Sequence, residues 1–143
     1  MENEQEKQLT FFRFEDLRIY HKSLDYVNWV YTIAKNIKDD QILKSFFERF
    51  LTSAHGIALN IAEGSSRNKS QFVYYLKMAK SSVRECVVLS TIGQSKNFIS
   101  KENYDESKQQ LMEMTKMIGA LIGSLQRSVH PGELQDDDDD DMT

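Results

Sequence analysis

The chain is poor in helix breakers and in reactive sulfur. Among its 143 residues there is one proline, Pro131, and there are six glycines. So few breakers leave long helices uninterrupted and favour an all-α fold. The one cysteine, Cys86, has no second thiol in the chain to pair with. That excludes an intramolecular disulfide and fits a reducing cytoplasm. No apolar run approaches about 20 residues, the length of a membrane span. The opening MENEQEKQ is too acidic for a secretory leader.

Catalytic and metal-binding patterns are missing as well. The histidines are His21, His55 and His130, and no pair has metal-ligand spacing. The Glu-x-x-His element of di-iron bundles does not occur. Glycines at 56, 64, 93, 119, 123 and 132 form no phosphate loop, serine elbow or dinucleotide fingerprint. Cys86 falls on an apolar seam and reads as core. The expectation is a protein with no enzymatic activity, no cofactor and no metal.

What is present is charge asymmetry and helical periodicity. The net charge is −4, yet residues 133–143 hold seven acids and no base, and residues 1–10 hold a net −2. The 122 residues between them carry a net +5. A basic body between acidic ends hints at a polyanion partner, RNA or DNA.

Four segments repeat apolar residues at helical spacing. Over Asp16 to Ile37 there are two stripes. Leu17, Tyr20, Leu24, Val27, Tyr31 and Ala34 form one, and Tyr26, Val30, Ile33 and Ile37 form the other. Two stripes on one helix imply a deep position or a contact with another subunit. A second helix starts at Asp39 or Asp40, both good caps, with Leu43, Phe47, Phe50, Ala54, Ile57 and Ile61 inward and Ile42 and Phe46 widening the stripe. A third starts after Asn68, with Gln71 three residues on. Its seam is Phe72, Leu76, Ala79, Val83, Cys86 and Ser90. A fourth starts near Ser100 and runs through Leu111, Met114, Ile118, Leu121 and Leu125 to His130-Pro131-Gly132. Gly119 and Gly123, four apart, read as a place of close helix packing. Short links make neighbours antiparallel, so the expected fold is an up-and-down antiparallel four-helix bundle. Residues 1–12 are expected as a flexible arm, 13–130 as the bundle, and 131–143 as a disordered acidic tail.

The stretch Asn60 to Arg67, NIAEGSSR, concentrates constrained residue types. As backbone chemistry it reads as a corner between helices. Gly64 supplies a left-handed residue past the helix end. Asn60 takes open carbonyls. Glu63 meets the amides of the next helix or pairs with Arg67, the local pair being favoured. The structural corner is preferred over a catalytic site.

The same stretch, with SQFVYYLKMA after it and FEDLRIYHKSLDYV before it, resembles the four-helix-bundle family encoded in intervening sequences of bacterial 23S ribosomal RNA genes. The accessory variability protein of diversity-generating retroelements is similar. The resemblance spans about Phe12 to Leu125. It rests on Asn60, Ile61, Ala62, Glu63, Gly64 and Arg67, and on Phe14-Glu15-Asp16-Leu17. It implies a barrel-shaped homopentamer without enzymatic activity. For the retroelement branch it implies basic surfaces that contact nucleic acid and a reverse transcriptase. Ala58 stands where many members have proline, which predicts a straighter second helix. Thr52 and Ser53 stand where members often have arginine, which removes positive charge there.

The third helix carries the strongest binding signal. Lys69, Lys77, Lys80 and Arg84 fall within one arc, a quarter turn from the seam, and Arg67 extends it or bonds Glu63. Such a stripe suits phosphates; otherwise it is a solvated face whose stems cover apolar surface. Of the neighbouring aromatics, Phe72 reads as core. Tyr74 and Tyr75, like Trp29, point elsewhere, towards a neighbouring subunit. The leading function is a structured-RNA-binding accessory factor; the alternative is a protein-interaction scaffold without nucleic-acid binding. The acidic tail is a solubilising end, a ligand for basic partners, or a competitor for the basic arc.

Overall fold

The computed structural model describes residues 11–35 and 39–128. The arm over 1–10, Ile37, Lys38, His130 and the acidic tail lie outside the described residues.

A 3-10 turn, Arg13–Asp16, precedes four helices: α1 Arg18–Ala34, α2 Gln41–Ser65, α3 Lys69–Ser95 and α4 Lys101–Arg127. Three starts are fixed by side-chain caps. Asp40 accepts from the amides of Ile42 and Leu43 at 2.9 and 3.1 Å. Asn68 accepts from Gln71 N at 2.9 Å, and Ser100 from Asn103 N at 3.0 Å. Each satisfies an amide that the helix leaves open. The first helix begins later than its spacing suggests, at Arg18, because the 3-10 turn intervenes. His21 Nε2 donates to the Glu15 carbonyl at 2.6 Å, and Phe14 packs edge-on to Tyr20, which hold that turn to α1.

Each helix packs on its sequence neighbours, and α4 closes on α1. Lys22 meets Glu113 and Tyr26 meets Ser107, so α1 and α4 are antiparallel. This is the expected up-and-down bundle. α2 runs unbroken through Ala58.

The core lies between the four seams, with Phe50, Ile57, Ile61, Leu76, Leu111 and Ile118 fully buried. It holds one polar layer that spacing did not foretell. Tyr26 Oη and Ser107 Oγ share a hydrogen bond at 2.7 Å, and Ser107 and Ser90 share another at 2.6 Å. Ser90 also donates to the Cys86 carbonyl. These hydroxyls satisfy one another, which removes the penalty of burying them. Burial pushes the Cys86 thiol up to about 12, so it stays protonated and unreactive at neutral pH.

Three expectations are corrected. The stripe of α1 that enters the core contains Ile19, Ser23, Tyr26 and Val30; of the other stripe only Val27 is buried, and Tyr31 is exposed. Ile42 does not widen the α2 seam, being 71% exposed. A Cβ at Gly119 would meet nothing within 4 Å and one at Gly123 only Arg127, so this pair makes no close helix packing. Among the described residues the close approaches are at Gly56, facing Ser82 on α3, at Gly64, and at Gly93, facing Phe46 on α2.

Candidate nucleic-acid interface

The α2–α3 corner is internally satisfied. Arg67 Nε donates to Glu63 Oε2 at 3.0 Å, and its guanidinium lies over the Tyr75 ring at 5.1 Å. The bond to Glu63 raises the Arg67 pKa. The local pair is therefore the one that forms. Glu63 does not cap α3; Asn68 does. Asn60 donates to the Gly56 carbonyl, one turn back inside α2, and not to the helix end.

Gly64 is also reinterpreted. It is helical and buried, and no described glycine has positive φ. A Cβ there would sit 2.6 Å from Tyr75 Cβ and 3.0 Å from Phe72 Cδ1. The residue is small because α2 and α3 touch at this point. Among the described residues the left-handed one is Asn97, φ 62°, at the α3–α4 corner. Asparagine tolerates that region.

The α3 arc gathers charge of one sign. At 100° per residue, Lys69, Lys77, Lys80 and Arg84 fall within about 80°. Lys69 and Arg84 are exposed, and Lys77 and Lys80 are half-buried. Lys69 Nζ lies 3.5 Å from the Ser128 carbonyl at the end of α4. Arg84 reaches only the neighbouring Ser81 hydroxyl, at 3.4 Å. The one acid on α3, Glu85, is turned to α2. It accepts from Ser53 at 2.9 Å and lies 3.7 Å from Arg49, which also bonds Ser53. Glu85 therefore does not neutralise the arc. Alongside, α4 from Met114 to Arg127 has no acid and adds exposed Lys116 and Arg127. Sequence spacing overlooked these two cations because they lie on a different helix. Arg67 is drawn to Glu63 and Tyr75 and does not extend the arc.

Two apolar surfaces flank this chemistry. On α3, Tyr74, Met78, Val88 and Ile92 are exposed along one stripe next to the arc. Their spacing of 4, 10 and 4 carries a legible helical signal. Tyr75, by contrast, is half-buried at the corner, and Trp29 stacks on Tyr26 at 5.7 Å. On the α1–α2 side, Phe14, Tyr20, Leu24, Val27, Ala58 and Leu59 line an open cleft of about 400 Å³. Leu59 is 67% exposed there. Tyr31 Oη and His55 Nε2 share a hydrogen bond at 3.0 Å at its side.

Among the described residues no three His, Cys, Asp or Glu side chains cluster as metal ligands, and no helix is long and apolar enough to cross a membrane.

The model of the family described as 23S rRNA-intervening sequence protein matches residues 15–120. Among solved structures, the chain is similar to a protein of unknown function from the S23 ribosomal protein family of Bacteroides thetaiotaomicron. The two share 20% identity and a TM-score of 0.67, over 73% of this chain and 97% of that one. At that identity the likeness shows the fold alone. No curated protein matches the chain.

Proposed function

This chain belongs to the 23S rRNA-intervening sequence protein family, and we propose that it is a non-enzymatic, cytoplasmic accessory factor that binds structured RNA through the α3 arc. The observation that carries the reading is the charge distribution. Lys69, Lys77, Lys80 and Arg84 share one flank of α3, the only acid on that helix is engaged with Arg49, and the adjoining half of α4 has no acid. Concentrated positive charge of this kind neutralises phosphates and releases counterions.

The assembly is a homopentamer in this reading. Support comes from the two exposed apolar surfaces, the α3 stripe and the α1–α2 cleft, which lie on different elements. A contact between unlike patches is heterologous, and such contacts close into rings when the rotation allows. A ring repeats the arc around its surface. The resemblance of the sequence motif to retroelement accessory proteins is the ground for proposing a reverse transcriptase as a protein partner.

The second reading, a protein-interaction scaffold, draws on Tyr74, Met78, Val88 and Ile92, an exposed apolar face suited to a protein. Salt separates the two. For about four phosphate contacts, RNA affinity falls about a hundredfold as salt rises from about 50 to about 200 mM. A titration of labelled structured RNA against the full chain at both salts reads this directly. Loss of binding in a Lys77→Glu, Lys80→Glu, Arg84→Glu variant supports the RNA reading. No binding at low salt selects the scaffold.

A further inference from the structure

The last described residue, Ser128, ends α4 beside the basic arc. Its carbonyl lies 3.5 Å from Lys69 Nζ, at the N-terminal end of α3. The following residues, 129–143, hold seven acids, Glu133 and Asp136 to Asp141, and no lysine or arginine. The most acidic segment of the chain is therefore tethered to one end of its basic flank.

The lengths match. Asp136 lies eight positions beyond Ser128, and an extended chain covers about 26 Å over that distance. The fifteen-residue rise from Lys69 to Arg84 is about 22 Å of helix. The aspartate run can thus lie beside any part of the arc. Other lysines are less well placed. Lys44 and Lys101 sit at the opposite end of the bundle and already pair with Asp39 and Asp105. Near the tether no acid of α3 or α4 competes, since none occurs from Lys69 to Arg84 or from Met114 to Arg127.

We infer that the acidic segment Glu133–Asp141 docks on the Lys69–Arg84 flank of its own chain and competes there with nucleic-acid phosphate. The competition rests on the RNA reading above; the docking does not. A tethered ligand acts at an effective concentration on the order of millimolar. Weak ionic contacts then suffice to occupy the arc at low salt. Phosphates in a structured RNA, presented in greater number, displace the segment. Self-occupation of this kind raises the threshold for RNA and disfavours weakly charged, single-site ligands.

Two measurements test it on the full chain. The first is carbodiimide cross-linking at low salt on an equal mixture of unlabelled and nitrogen-15-labelled protein, read by mass spectrometry. Links from Glu133 or the aspartates to Lys69, Lys77 and Lys80 within one isotopic chain, lost at high salt, are the expected result. Links distributed equally to Lys44 and Lys101, links only between isotopes, or no links overturn the docking. The second compares RNA affinity of the natural chain with a variant carrying Asp→Asn at positions 136–141. The variant is expected to bind about tenfold tighter at low salt, with the difference closing as salt rises. Equal affinity, with both proteins binding, overturns the competition. Cross-links on the arc with no RNA binding by either protein support the docking and fail the RNA reading instead.

Discussion

The α2–α3 corner and the α3 flank begin within a few residues of each other and use the same polar chemistry to opposite ends. At the corner, each charged or polar group meets a partner of its own chain: Arg67 with Glu63 and Tyr75, Asn60 with Gly56, Asn68 with Gln71. On the flank, four cations share a face from which the helix's only acid is turned away. The lesson is that concentration of notable residues does not mark a binding surface. The flank differs in that its cations line one face of one helix with no acid of that helix among them. The family signature falls on the corner because the bundle needs it there, and the basic flank proposed to meet phosphate begins at Lys69, just past it.

Substitutions can break this comparison. The largest expected effect is at Gly64. Gly64→Ala brings a Cβ to 2.6 Å from Tyr75 Cβ, an atom fixed to its backbone. The helices must separate, at a cost of about 1–3 kcal/mol that outweighs the gain in helix propensity. Thermal unfolding should show the lowered midpoint, while RNA affinity of the folded fraction stays unchanged. Next is Asn68→Ala, which deletes the α3 cap and costs about 1 kcal/mol in denaturant titration. Gly119→Ala has the opposite sign. Its Cβ meets nothing within 4 Å, so a gain of about 0.5–1 kcal/mol is expected from reduced backbone entropy. Destabilisation there would mean that an assembly partner covers this face of α4.

The smallest effect concerns the Lys22–Glu113 pair, 2.8 Å, across the α1–α4 seam. The hydrogen bond to Lys22 lowers the Glu113 pKa, and the same bond raises that of Lys22. The stabilising contribution of Glu113 is present above its ordinary carboxylate pKa and is lost as pH falls through the lowered value. That of Lys22 is present below its ordinary value and is lost as pH rises through the raised one. Both groups are well exposed, so solvent screening keeps the effect small. A Lys22→Met variant should lose both limbs from a plot of unfolding midpoint against pH.

Much of the bundle was legible in the residues. The caps at Asp40, Asn68 and Ser100 were legible because short polar side chains before an apolar period have few other uses. The α2 seam was legible because a single stripe runs through it. In α1 two stripes have equivalent spacing, and periodicity does not say which faces inward; packing against Phe50 and Ser107 decides it. Gly64 was assigned the wrong reason because a sequence does not distinguish a glycine chosen for φ from one chosen for contact. The Tyr26–Ser107–Ser90 layer was hidden because serine is neutral in a hydrophobic pattern. The arc was legible by helical arithmetic, but the engagement of Glu85 was not, since its partner Arg49 lies on another helix.

The most direct measurement is a pair of RNA titrations at one low salt concentration. One protein carries Lys80→Glu and Arg84→Glu on the flank; the other carries Arg67→Gln at the corner. Each is compared with the natural chain after circular dichroism shows it folded. The account predicts that the flank variant loses at least about tenfold in affinity and the corner variant keeps it. Equal losses, or a loss confined to the corner variant, would contradict it.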